Sequence, residues 1–134
     1  MHRNTYVNGP ALLRPTLQCR DREDLFFAGQ LAGLEGYAGN VSGGWLAGVN
    51  AARLTHGLPP VALPQETMFG ALIHYITHAE VKGFQPMKAN FGLVPPLKDR
   101  VRGKRARGEV RAQRALDTLA TWIEEHPELG SGAA

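Results

Sequence analysis

Apolar positions along the chain fall into three helical stripes and one short extended run. Trp45, Leu46, Val49 and Ala52 recur at the three- and four-residue spacing of one helix face. Asn40 or Ser42 is placed to cap the start of this helix, and Gly57, ahead of Pro59 and Pro60, to end it. A second stripe, Met68, Leu72, Ile73 and Ile76, predicts a helix that opens after Pro64, has Glu66 and Thr67 in its first turn, and stops before Gly83. A third, Ala112, Ala115, Leu116, Leu119 and Ile123, predicts a last helix with that face buried and Pro127 just past its end. Leu25–Ala28 is short, apolar and closed by Gly29, the pattern of a buried strand, and a further short strand is predicted near Leu12 and Leu13. "GFQPMKANFGLVPPL" (residues 83–97) reads as an ordered loop pinned by its phenylalanines, and the closing GSGAA (130–134) as a disordered tail.

These elements place a strand, a glycine-rich turn and a helix N-terminus in succession. The glycines at 29, 33, 36 and 39 do not follow the GxGxxG spacing. Two readings stay open for such a turn. It is a close-packed corner that binds nothing, or its outward N–H groups and lack of side-chain bulk admit an anion or cofactor. Gln30, Glu35 and Tyr37 stand inside it and can hydrogen-bond a ligand.

Composition sharpens this modestly. The 134 residues suffice for one small domain. The single cysteine, Cys19, excludes an internal disulfide, and no apolar run reaches the roughly 20 residues of a membrane span. With no apolar leader after Met1, the expected location is cytoplasmic. The net charge of +3 is unevenly spread: residues 98–114 carry eight Lys or Arg against Asp99 and Glu109. Such a block is a phosphate-seeking surface or a solvated linker. His74 and His78, at i and i+4, have the spacing of a zinc-ligand pair but no third ligand nearby in sequence, so no metal site is expected. Trp45 and Trp122 read as core or interface anchors.

"MHRNTY", "LFFAGQLAGLEGY", "SGGWLAGVNAAR" and "FQPMKANFGLVPPL" occur in this order and together resemble the GidA-related flavoproteins, and within them the TrmFO group of folate- and FAD-dependent tRNA (uracil-5-)-methyltransferases. The resemblance runs from Met1 to about Leu97. It implies an α/β fold, the C-terminal part of a Rossmann-like FAD-binding domain (1–97), followed by a basic segment with a helical end (98–129). The sister branch that modifies wobble uridines carries a different turn and lacks the HRNTY and FQPM elements. A non-catalytic tRNA-binding or subunit-interface module on the same scaffold is the other alternative.

By this resemblance Gly29, Gln30, Glu35, Gly36 and Tyr37 contact FAD, with Gly29 and Gln30 at the ribityl chain and Gly36 and Tyr37 by the flavin ring. His2 and Asn4 of the HRN motif fall on the folate side. The complete enzyme would take its one-carbon unit from methylenetetrahydrofolate, its electrons from NADH or NADPH through FAD, and deliver a methyl to C5 of a T-loop uridine in tRNA. Lys88, Lys98, Arg100, Arg102, Lys104, Arg105 and Arg107 are the candidate RNA contacts. The family's GxGxxG fingerprint and catalytic cysteines are absent here, and Cys19 matches neither. The resemblance therefore implies a portion that is inactive alone and needs the missing N-terminal half or a complementing chain; homo-oligomerisation stays open. The chain also departs from the family, with "GYAGN" where GYVES is usual and Lys88 where asparagine is common.

Overall fold

A computed structural model describes residues 5–130. The elements, in order, are α1 (Gly9–Leu12), β1 (Leu34–Glu35), α2 (Tyr37–Thr55), α3 (Met68–His78), β2 (Met87–Lys88), α4 (Lys104–Glu125) and α5 (Pro127–Gly130). The fold is mixed α/β with a small sheet and a helical C-terminal end: β1 and β2 pair in parallel, Leu34 opposite Met87 and Glu35 opposite Lys88.

Helix α3 lies at the centre. Leu72, Ile73 and Ile76 of its predicted stripe are buried against Leu13, Leu17, Leu34 and Leu46. Thr67 starts it as a side-chain cap, its Oγ1 accepting the Gly70 N–H at 3.0 Å. Phe84 anchors the proline-rich loop as expected, buried edge-on against Tyr6 with ring centroids 5.9 Å apart. Phe91, in the same loop, is exposed instead.

Polar groups inside this core are paired. Asn50 of α2 is fully buried; its Nδ2 donates to the carbonyls of Thr16 and Val61, and its Oδ1 accepts the Val61 N–H at 2.8 Å. One side chain thereby holds two loops to the helix, which is how an amide is tolerated among leucines. Arg53, one turn on, donates from Nε to the Pro59 carbonyl at 2.8 Å and pairs through Nη1 with Glu128 of α5. Trp122 of α4 enters the core and donates from Nε1 to the Ala62 carbonyl at 3.0 Å.

Several expectations need correction. Residues 25–28 are half-buried and extended but make only an isolated bridge, Gln18 to Phe26, because the adjoining chain offers a turn and not a full strand. Residues 9–12 are a helical turn with Pro10 in its first positions, where a fixed φ suits a helix, and only Leu13 makes a bridge, to Cys19. Helix α2 begins at Tyr37, ahead of Asn40 and Ser42, because Gly36 at φ +80° turns the chain straight from β1 into the helix. The predicted buried face of α4 is largely open: Leu116 is 62% and Ile123 39% exposed, since only the end of the helix reaches the core. Gly130 closes α5, and residues 131–134 of the predicted tail lie outside the described residues.

Candidate functional site

The glycine stretch forms a corner between the sheet and α2. A 3-10 turn over Gly29–Ala32 leads into β1, and Gly36 leads out of it into α2. Gly29 and Gly36 have φ of +62° and +80°, a region that side chains other than glycine's rarely adopt. A Cβ at Gly36 would find no atom closer than Lys88 Cγ at 4.0 Å, so this side of the turn is open. Gly43 serves the opposite purpose: a Cβ there would lie 2.2 Å from Leu34 Cδ1, so α2 seats directly on β1. The glycines thus differ in their surroundings. The helix interior is close-packed, and the turn itself leaves its backbone accessible.

The N-terminus of α2 carries no side-chain cap and no acidic residue in its first turn. The leading N–H groups of a helix have no intrahelical acceptor, and the helix dipole adds partial positive charge there. Asn40 sits one turn in. Its Oδ1 is buried without a hydrogen-bond partner and faces Gly29, lying 3.6 Å from where a Cβ of Gly29 would be. A buried acceptor without a donor is costly, and it is the kind of atom that a ligand hydroxyl satisfies. The sequence marks Asn40 only as a candidate helix cap, yet its position four residues after Gly36 puts it on the same helix face as the turn.

Gly29, Gln30, Glu35, Gly36 and Tyr37 are brought together by this corner. Gln30 and Gly36 are exposed, and Tyr37 is 95% exposed. Tyr37 also opens onto an apolar groove of about 770 Å³ shared with Val41 and Trp45 of α2 and Leu119, Trp122 and Ile123 of α4. Lys88, opposite Glu35 on β2, stands beside the turn. Lys98, Arg100 and Arg102 are exposed in the segment before α4, and Lys104, Arg105 and Arg107 form its first turn. His2 and Asn4 lie outside the described residues.

His74 and His78 stack with ring centroids 4.0 Å apart, and His78 Nδ1 lies 3.0 Å from the His74 carbonyl. Burial, and secondarily the neighbouring His78, holds His74 below its ordinary pKa. Among the described residues no cluster of three or more His, Cys, Asp or Glu could hold a metal ion. Cys19 is buried and is itself the bridge partner of Leu13. No helix among the described residues is long and apolar enough to cross a membrane.

The chain is similar in sequence to known proteins. A family model described as "Glucose inhibited division protein A" matches residues 1–59. A protein of Enterococcus faecalis named methylenetetrahydrofolate–tRNA-(uracil-5-)-methyltransferase TrmFO is 55% identical over 92% of this chain. Proteins of the same name from Brevibacillus brevis and Thermosynechococcus vestitus are 54% and 57% identical over 93% and 91% of it. The chain spans 28%, 29% and 27% of the length of these three relatives.

Proposed function

We propose that this chain, which belongs to the TrmFO family of GidA-related flavoproteins, is the flavin- and folate-contacting portion of a tRNA (uracil-5-)-methyltransferase that acts on the T-loop uridine. The observation that carries the reading is the open glycine corner with the unpaired Asn40 Oδ1 facing it. The residues present fit FAD. Gly29 and Gln30 would lie along the ribityl chain, whose hydroxyls are the donors that Asn40 lacks. Glu35, Gly36 and Tyr37 would lie by the ring, where the leading N–H groups of α2 supply positive potential. When bound, the flavin would supply the redox chemistry that turns the one-carbon unit of methylenetetrahydrofolate into a methyl group, with a reduced nicotinamide as electron source.

The chain's own residues hold and orient. The closeness of α2 to β1 fixes the corner, and Lys88 adds a cation beside it that suits an anionic folate tail or a phosphate. His2 and Asn4 are proposed on the folate side. Lys98, Arg100, Arg102, Lys104, Arg105 and Arg107 would hold tRNA phosphates. The apolar groove at Tyr37, Val41 and Trp45 would pack on the remainder of the enzyme, which would also bring the dinucleotide fingerprint and the catalytic cysteines.

The test is co-expression of the chain with a family polypeptide that carries the GxGxxG segment. Co-purification with visible flavin absorbance, and methyl transfer to an unmodified tRNA transcript, are expected. Asn40→Leu should lower flavin retention about tenfold while the helical circular dichroism of the chain stays unchanged. Flavin retained equally by Asn40→Leu and by a charged replacement at Gly36 would defeat the assignment of the corner.

A further inference from the structure

Phe91 faces a groove of about 670 Å³ whose other walls are Lys104, Arg105, Arg107, Gly108 and Arg111 at the start of α4. We propose that this groove is a stacking subsite for one unpaired nucleotide of RNA, with Phe91 as the platform and Lys104, Arg107 and Arg111 on the flanking phosphates. The inference deepens the tRNA reading given above and rests on it.

The cations are arranged against the interest of the isolated helix. Lys104, Arg107 and Arg111 stand at i, i+3 and i+7, one stripe along the helix. They lie at its N-terminal end, where the dipole is already positive, and the first turn holds no acidic residue. Arg105 is paired with Glu109 at 3.1 Å; the other three have no ion-pair partner among the described residues. Arg111 Nε is buried with no hydrogen-bond partner. A like-charged stripe on the positive end of a helix is a local rule broken, and an external anion is what would compensate it.

The segment that carries the aromatic is held by its own turn. The Asn90 Oδ1 accepts the Gly92 N–H at 2.9 Å, and the Asn90 carbonyl accepts the Leu93 N–H at 3.2 Å, so Phe91 rides on a closed turn. Arg114 ties the following loop to α4, donating to the carbonyls of Pro95 at 2.6 Å and Pro96 at 3.0 Å. Phe91 is nevertheless 44% exposed, which an anchor of the loop has no reason to be. Gly108 also lines the groove. A Cβ there would meet nothing within 4 Å, so the helix surface is flat and open beneath the groove. An aromatic face beside a row of unpaired cations matches a base flanked by phosphates. An acidic peptide would use the cations but not the ring.

The experiment measures binding of the full chain to a single-stranded RNA octamer carrying 2-aminopurine, and to an unmodified tRNA transcript, across salt concentrations. Quenching of the 2-aminopurine on binding is expected. Phe91→Leu should weaken both ligands about tenfold and remove the quenching without changing the salt slope. Arg111→Gln should reduce that slope by about 1. Gly108→Ala, which favours the helix and so cannot act by unfolding it, should also weaken binding. If Phe91→Leu binds like the parent while the cation variants fail, phosphate contact alone remains: the stacking subsite is overturned and the tRNA reading stands. Absence of RNA binding by the parent at low salt overturns both. Tighter binding of poly-glutamate than of RNA assigns the groove to an acidic protein and overturns the proposal.

Discussion

Two adjacent glycines in α2 make opposite predictions from the same substitution. At Gly43 an added Cβ would sit 2.2 Å from Leu34 Cδ1 and 3.6 Å from the Gly29 nitrogen, whereas at Gly44 it would meet nothing within 4 Å. Alanine in place of glycine favours a helix by roughly 0.5–1 kcal/mol, so Gly44→Ala should stabilise by about that amount. Gly43→Ala gains the same helix preference but must displace Leu34, which is fully buried. Overpacking of this kind costs about 1–3 kcal/mol, leaving a net loss of roughly 0.5–2 kcal/mol. The two variants should therefore differ by about 2 kcal/mol, or roughly 6–8 °C in midpoint for a chain of this size. Urea unfolding followed by tryptophan fluorescence gives the comparison, with an unchanged m-value showing that the same surface is exposed. If Gly43→Ala proves as stable as Gly44→Ala, the contact between α2 and β1 is looser than described. The account of why the corner is rigid then fails with it.

Asn50→Ala removes three hydrogen bonds and strands buried groups of Thr16 and Val61; a loss of about 3 kcal/mol is expected in the same unfolding assay. Glu128 is held below its ordinary 4.5 first by its hydrogen bond from Arg53. Its contribution is therefore complete above the ordinary value and lost as pH falls through the folded one, so stability curves of the parent and Glu128→Gln should converge in acid and separate toward neutrality. His74 lies below its ordinary 6.5 through burial, so the unfolded chain takes the proton first. Stability should fall as pH drops below that value, and His74→Gln should flatten this part of the profile; an unchanged slope would show that another group titrates there.

The three long helices were legible because their stripes extend over many residues, and Gly57 lies just past the end of α2, but Glu66 and Thr67, expected in the first turn of α3, precede it, with Thr67 as its cap. What the pattern could not supply was what each stripe faces. Leu116 and Ile123 have the spacing of a buried face, yet periodicity records only that a face is apolar, and both are exposed among the described residues. The run at 25–28 failed for a related reason, since a strand is defined by its neighbours and the one available segment turns away after a single bridge. The true strands, two residues each, were too short to show a period and depend on the pairing of Leu34 with Met87 across more than fifty residues.

The candidate site divides along the same line. Its glycines were visible as a cluster, but their separate duties were not: Gly43 is needed for what it touches, Gly36 for the conformation it adopts and the space it leaves. Asn40 was visible as a residue but not as an acceptor without a donor, because that property belongs to the packed corner and not to the residue's neighbours in sequence. The same holds for Phe91, which shares a motif with Phe84 but faces the basic stripe of α4 in place of the core. In each case the residue type announced a capability, and the packing of the core decided whether the side chain was enclosed by the fold or left facing an open surface.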